Sequence, residues 1–426
     1  MITLPIASAI KETFKDGYTI KTFRADLSAG IVVSLVALPL SMALAIAIGL
    51  PPQHGLYTAI VAGIVTAILG GSRFQVTGPT AAFVAILAPI VAQYGLTGLI
   101  WCQLIAGCVL ILMGGLRLGK YVEYVPYAVT TGFTAGIAVV IATLSLNDFF
   151  GMGIENLGDH YWEKVASLIS AIPDITPQEA VIGIATFIVI MICNKFFKTI
   201  PGAVVGIVTG TGLALIAVKM GMPIDTIATR FSYVSADGSM GAGIPPDLPR
   251  IHIPPPTDLM PLIVPAMTIA ALAALESLLS ATVADNITKT RHNPNAELTG
   301  AGFGNLFSGL IGGIPATGAL ARTATNIHAG AKTPFAAVIH SILLFIFMVV
   351  LAQYISEIPM AALAALLLVT AIRMAHMNLV LDIVRAGNQK DTFVLFVTFF
   401  LTIIFDMVVG VASGLALSYV LKIYKR

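Results

Sequence analysis

Charge is scarce in this chain. Of 426 residues only 10% are Asp, Glu, Lys or Arg, against about 25% in soluble domains. Together with a mean hydropathy of +0.94, that deficit excludes an ordinary soluble enzyme. A net charge of +2 leaves no field to attract nucleic acid. Cysteine is scarce too: the three present, Cys102, Cys108 and Cys193, all lie in apolar runs and fit packing residues better than a disulfide framework or metal site. The sequence has no zinc spacing, phosphate loop or nucleophile elbow, so neither a cofactor nor catalysis is expected. No cleavable signal is evident in the mixed, amphipathic N-terminus, so the first apolar run is expected to be retained.

What is present is apolar length. The apolar share is 57% of 426 residues. At roughly 20 residues per membrane span, that allows about twelve to fourteen spans. Fourteen segments are read, at approximately 27–48, 56–72, 79–93, 96–116, 124–146, 178–197, 201–219, 260–284, 298–313, 320–330, 334–354, 359–373, 392–405 and 407–423. Threaded with the N-terminus inside, they put eighteen of the 23 basic residues in the cytoplasm, as the positive-inside bias requires. Lys164, Lys219, Arg230 and Arg250 fall outside, and Arg322 lies within the membrane. Both termini are therefore expected to be cytoplasmic, and the polar stretches 147–177 and 220–258 to face outward. Cysteines placed near Gly158 and Gly238 should react with an impermeant thiol reagent added outside. Those near Arg73 and Arg291 should not, and outside labelling of both would contradict the fourteen-span threading. Between segments 12 and 13, Met377, Val380, Ile383 and Val384 follow helical spacing and predict an interfacial amphipathic helix.

Segments 1–7 and 8–14 are two sets of seven. An odd count makes the second set enter from the opposite side, the topology of an inverted repeat. The expected organisation is a cytoplasmic segment 1–25, a first repeat 26–220, an extracytoplasmic loop 221–258 and a second repeat 259–426. In such folds a pair of short, Gly/Pro-interrupted segments at matching places marks the substrate site. Segment 3 opens with QVTGPTAAF at 75–83 and segment 10 with PATGALART at 315–323. A helix starting in mid-membrane leaves its first N–H groups unpaired and carries about half a positive charge there. Two such ends make an anion site. Thr80, Ala81 and Ala82, with Ala321, Arg322 and Thr323, are its candidate lining. Small side chains let the ligand approach the backbone, and Arg322 adds a full charge and a fork suited to carboxylate or sulfate.

A second constellation lies in segment 8. Glu276 is the sole charge between Met260 and Ala284. An ionised carboxylate there costs several kcal/mol, so Glu276 is read as a coupling group for H+ or Na+. Ser280 stands one turn on, on the same face, and Ser277 and Thr317 are further oxygens for an ion. His340 reads as a satisfied packing histidine and His328 as a cytoplasmic-end residue. Glu123 and Asp406 sit near interfaces and need no special role.

At these residues the sequence resembles the SulP, or sulfate permease, family of anion transporters over about 20–426. The matching stretches are LPPQHGLY at 50–57, GGSR at 70–73, Gly78-Pro79, NAEL at 295–298 with Gly304-Asn305, and ARTA at 321–324. The stretch GLYTAIVAGIVTAILGGSRFQVTGPTAAF at 55–83 and VEYVP at 122–126 are similar to the bacterial C4-dicarboxylate branch. The resemblance implies an all-α membrane protein of fourteen helices with core and gate domains and half-helices at segments 3 and 10. It implies a homodimer in the lipid bilayer of a bacterial inner membrane, and an elevator movement. It places the anion between helices 3 and 10, flanked by helix 1, where Leu40 and Leu44 lie, and couples it through Glu276. Family members often have Pro-Gln in helix 1, where this chain has Pro39-Leu40, and many have Phe where it has Thr80. Most carry a STAS domain after the last helix; this chain is expected to be the transmembrane part alone. The expected activity is H+-coupled symport of succinate, fumarate or aspartate. The alternatives are an H+- or Na+-coupled bicarbonate or sulfate symporter and, in another class, an anion channel.

Overall fold

The structure is a computed structural model that describes residues 4–120, 126–155, 157–158, 160–197, 201–234, 238–247, 251, 253–405 and 407–423. Glu123 and Asp406 lie outside the described residues, as does most of the VEYVP stretch. The elements in chain order are α1 (Ser8–Asp16), α2 (Ile20–Ala47), α3 (Gln53–Leu69), β1 (Thr77–Gly78), α4 (Val84–Gly115), α5 (Tyr127–Phe150), α6 (Tyr161–Ser170), α7 (Pro177–Phe196), α8 (Gly202–Lys219), α9 (Ile227–Arg230), β2 (Ser232–Val234), β3 (Met240–Ala242), α10 (Ile263–Thr288), α11 (Pro294–Leu310), β4 (Thr317–Gly318), α12 (Leu320–His328), α13 (Phe335–Ile355), α14 (Met360–Met374), α15 (Met377–Arg385), α16 (Gln389–Ile404) and α17 (Met407–Ile423).

Each of the fourteen segments read from hydropathy coincides with helix. Segments 3 and 4 share α4, which is interrupted at Gly95 (φ 63°, ψ −169°), a backbone conformation that glycine adopts at no steric cost. Among the described residues, eight helices are long and apolar enough to cross a membrane, and two shorter apolar ones accompany them. Several of the fourteen segments are thus shorter than a full span. α12 has nine residues, about 14 Å of rise, half of a hydrocarbon core about 30 Å thick. Extended residues 313–319 precede it. The stretch 220–258, expected to face outward, contains α9 and the hairpin of β2 with β3. The expected interfacial helix is α15, which buries no residue fully. Its Val380 and Ile383 pack on a cluster of Ala128, Val129, Val394 and Leu395, leaving Met377 and Val384 outward.

The chain forms two compact units. One comprises Met1–Phe83, Ile90–Glu123 and Ile227–Glu357, the other Val84–Pro89, Tyr124–Thr226 and Ile358–Arg426. In the first, α2, α3, α11 and α13 pack through small side chains, as in the cluster of Val33, Ala67, Val76 and Ala337. Small residues allow close helix approach where lipid supplies no hydrophobic drive. Asp26 on α2 is wholly buried and accepts from Lys332 N at 2.7 Å, Thr333 N at 3.1 Å and Thr333 Oγ1 at 2.5 Å. It thereby holds the turn between α12 and α13. The N-terminal α1 is tied to the turn after α3 by Arg73, 2.6 Å from Asp16 and 3.3 Å from Glu12. In the second unit, α5, α7 and α14 enclose Phe149, Ala364 and Ala365, and the buried Glu179 of α7 accepts from Asp225 N at 2.6 Å.

Candidate functional site

The two Thr-Gly openings meet. β1 pairs antiparallel with β4, Thr77 opposite Gly318 and Gly78 opposite Thr317, and Ala319 N donates to Val76 O at 2.9 Å. Each opening then turns into helix: Ala81–Phe83 as a 3-10 turn and Leu320–His328 as α12. Thr19, Asn293 and Asn388 side chains accept the first free N–H groups of α2, α11 and α16, whereas α3, α5, α7, α8, α10, α13 and α14 have no side-chain cap. α12 begins at Ala319 with no such cap, and the helix after the 3-10 turn begins at Phe83 with none either. Uncapped helix ends in a low-dielectric interior leave N–H donors for an anion.

The segment-8 residues join this crossing side chain by side chain. Thr80 Oγ1 donates to Glu276 Oε2 at 2.9 Å. Ser277 Oγ lies 2.9 Å from Thr317 Oγ1 and accepts from Gly318 N at 3.0 Å. Since Thr317 Oγ1 donates to Ala273 O at 3.1 Å, the Ser277 hydroxyl is the donor between the two. One turn further, Ser280 Oγ donates to Thr323 Oγ1 at 3.2 Å, which also accepts from Val76 N at 3.1 Å. Three separate sets of hydrogen bonds therefore join α10 to the two openings, through Glu276, Ser277 and Ser280. Among their residues Ser277, Ser280, Thr317 and Thr323 are buried, whereas Thr80 and Glu276 are half-buried, so the carboxylate stands at the accessible edge.

Arg322 departs from the sequence expectation. Its side chain is 2% exposed, and Nη2 donates to the carbonyl of Pro79. Nη2 thus braces the two openings, while Nε and Nη1 have no hydrogen-bond partner among the described residues. Ala81 and Ala82 are buried, Ala321 is exposed, and on α2 Leu40 is half-buried and Leu44 buried. Gly78 is needed for the brace, because a Cβ there lands on the Arg322 guanidinium. Gly78→Ala is expected to cost about 1–3 kcal/mol of stability through overpacking, read as a lower melting temperature in detergent, with weaker anion binding. An unchanged melting temperature would show that the brace yields freely.

Sequence reasoning named Glu297 and Asn305 only as family motif residues, yet both position the crossing from α11. Glu297, buried, accepts from Gly71 N at 2.8 Å and Ser72 N at 2.9 Å, and from Gln75 Nε2 at 2.6 Å, fixing the approach to β1. Asn305, also buried, accepts from Ala316 N at 2.8 Å and donates to Ala316 O at 2.9 Å, fixing the approach to β4. The signal that could have found them is the one that found Glu276: a polar side chain in an apolar segment is costly and rarely idle. Asn326 adds a donor to Phe74 O at 2.9 Å. The reading of His340 as a satisfied packing histidine needs correction. It is wholly buried, and neither ring nitrogen has a hydrogen-bond partner among the described residues.

With this geometry in place, the comparisons with known proteins become informative. The model of the Sulfate permease family matches residues 23–398. A putative sulfate transporter of Bacillus subtilis, YvdB, is 40% identical over 95% of this chain and 74% of its own length. The bicarbonate transporter BicA of a Picosynechococcus species is 29% identical over 95% of this chain and 70% of its own. The solved transmembrane domain of a cyanobacterial BicA superposes with a TM-score of 0.80 at 27% identity, covering 92% of this chain and 98% of that one. SLC26A9 shares the fold, with a TM-score of 0.86 at 18% identity over 98% of this chain and 68% of its own. These relatives are named for sulfate and bicarbonate, so the C4-dicarboxylate branch expected from residues 55–83 is not supported.

Proposed function

The chain belongs to the sulfate permease family of anion transporters, and on that footing we propose that it is a secondary active symporter of a compact oxyanion, bicarbonate or sulfate, driven by H+. The observation that carries this reading is the 2.9 Å bond from Thr80 to Glu276. It puts the residue at the mouth of the anion site in direct contact with the only carboxylate of α10's apolar run. An anion that engages the Thr80 hydroxyl competes for the donor that Glu276 accepts, so anion binding and proton binding are linked. Sodium is the second reading, favoured by the hydroxyl oxygens of Ser277, Ser280 and Thr317 along the contact of α10 with the openings.

The anion-site residues all fall within the unit that contains Met1–Phe83 and Ile227–Glu357. We take that unit as the core that carries the anion, the other as the gate, and the transport step as an elevator movement of the core. The 7+7 inverted repeat, a homodimer and a bacterial inner membrane with both termini cytoplasmic complete the proposal. The test is uptake into proteoliposomes of labelled sulfate, bicarbonate and succinate, each under an imposed H+ or Na+ gradient. Gradient-driven accumulation of sulfate or bicarbonate, with succinate left behind, is expected. Accumulation of succinate alone would reinstate the dicarboxylate reading, and steady current without accumulation would identify a channel.

A further inference from the structure

The extended stretch before α12 has two edges. Ala319 N donates to Val76 O, and Thr317 lies opposite Gly78, so the odd-numbered residues turn their backbone groups toward β1. In an extended chain the groups of alternate residues point to opposite sides, which leaves Ile314, Ala316 and Gly318 on the other edge. No strand pairs there among the described residues. All three residues are buried, where an unpaired backbone group is costly. Side chains from four helices stand in for the strand. Ser277 of α10 accepts from Gly318 N at 3.0 Å. Asn305 of α11 meets Ala316 at both its N–H and its C=O. At Ile314 two side chains share the task. Thr58 Oγ1 of α3 accepts from Ile314 N at 2.6 Å, and Gln103 Nε2 of α4 donates to Ile314 O at 3.0 Å.

Thr58 and Gln103 are wholly buried. The Thr58 hydroxyl also reaches His54 O at 2.8 Å and Ile314 O at 2.9 Å, so one oxygen ties the approach to α3 through both its acceptor and its donor side. His54 Nδ1 lies 2.5 Å from the carbonyl of Gly312, whose φ of 76° turns the chain out of α11. The first turns of α3 therefore hold the path that leads to Ala319, where α12 begins uncapped. We propose that Thr58 and Gln103 are positioning residues for the anion site: by fixing Ile314 they fix where the α12 N-terminus and Arg322 stand. Neither residue acts on the anion itself. A valine at 58 fills the same volume but strands the Ile314 N–H in an apolar interior, and the approach must shift to find it an acceptor. The inference rests on the reading of the α12 end as part of the anion site.

The test is calorimetric anion binding to purified protein, which reads Kd and the number of competent molecules separately. The probe is sulfate or bicarbonate, whichever the wild type binds more tightly. A merely structural defect lowers the stoichiometry and leaves the Kd of the folded fraction unchanged. A misplaced helix end raises Kd at full stoichiometry. Thr58→Val is expected to raise Kd about fivefold, the scale of one lost hydrogen bond. Thr58→Ser, which keeps the hydroxyl, should stay within about twofold on the same scale. Gln103→Met, which keeps the length but not the donor, should raise Kd about threefold. An unchanged Kd in either variant, a loss of stoichiometry alone, or a serine no better than valine would overturn the positioning role. If Thr58→Val does not fold, Gln103→Met decides by the same readout. Ala321→Trp tests the underlying reading, because it fills the space at the first turn of α12 and should abolish binding. Wild-type affinity in Ala321→Trp would remove the α12 end from the anion site and the positioning role with it. Lost binding there, with Kd unchanged in Thr58→Val and Gln103→Met, would end the positioning role alone.

Discussion

Glu276→Gln is expected to abolish accumulation driven by a pH gradient while leaving exchange of labelled for unlabelled anion intact. Glutamine keeps the shape, and its Oε1 still accepts from Thr80, 2.9 Å away in the wild type. The crossing of β1 and β4, held by Ser277, Thr317 and the backbone, does not depend on the carboxylate. What glutamine cannot do is take up and release a proton. Binding and reorientation therefore survive, and thermodynamic coupling is lost. Accumulation measured separately under H+ and Na+ gradients decides among three outcomes. Loss of H+-driven accumulation supports the proton carrier. A wild type driven by sodium at constant pH, with an unresponsive variant, supports the sodium site. Normal accumulation by the variant under the H+ gradient ends the coupling role.

Arg322→Ala is expected to weaken anion binding by about 1.5–3 kcal/mol, roughly 10- to 150-fold in Kd, the range for a hydrogen bond to a charged group. Two effects add. The site loses its one buried guanidinium, and the Pro79 carbonyl loses the donor that braces the first opening to α12. Arg322→Lys separates them. Lysine returns a point charge but not the planar fork, so it should recover part of the affinity and little of the brace. Equilibrium binding of labelled sulfate or bicarbonate to each variant checks this. Full affinity in Arg322→Ala would show that the helix ends suffice and that the guanidinium is purely structural.

Much of the scaffold was legible in the sequence. Hydropathy located the helices, including the interruption at Gly95 between segments 3 and 4 and the amphipathic α15. The matching Thr-Gly openings stood out as the two places where apolar runs are short and broken. Their antiparallel pairing did not, because residues 77 and 318 are far apart in the chain and periodicity reports only which face a residue occupies. The same limit hid the partner of Glu276, 196 residues away at Thr80, and the anchoring roles of Glu297 and Asn305. Arg322 was read as a fork for the ligand, whereas its Nη2 donates to a backbone carbonyl 243 residues distant, a bond that leaves no trace in local sequence. Residues 55–83 suggested a C4-dicarboxylate branch that the relatives, named for sulfate and bicarbonate, do not support.

The central claim is that anion and proton move through one linked site. Its most direct test is a simultaneous record of labelled sulfate uptake and lumenal pH in proteoliposomes, with no sodium present and with unlabelled bicarbonate as competitor in a parallel run. Sulfate suits the pH record because, unlike bicarbonate, it does not itself buffer near neutrality. The account predicts that sulfate entry and lumenal acidification rise together in a fixed ratio, that bicarbonate competes, and that Thr80→Val, which removes the donor to Glu276, breaks the ratio. Sulfate entry with no pH change, in the wild type and in Thr80→Val alike, would contradict it.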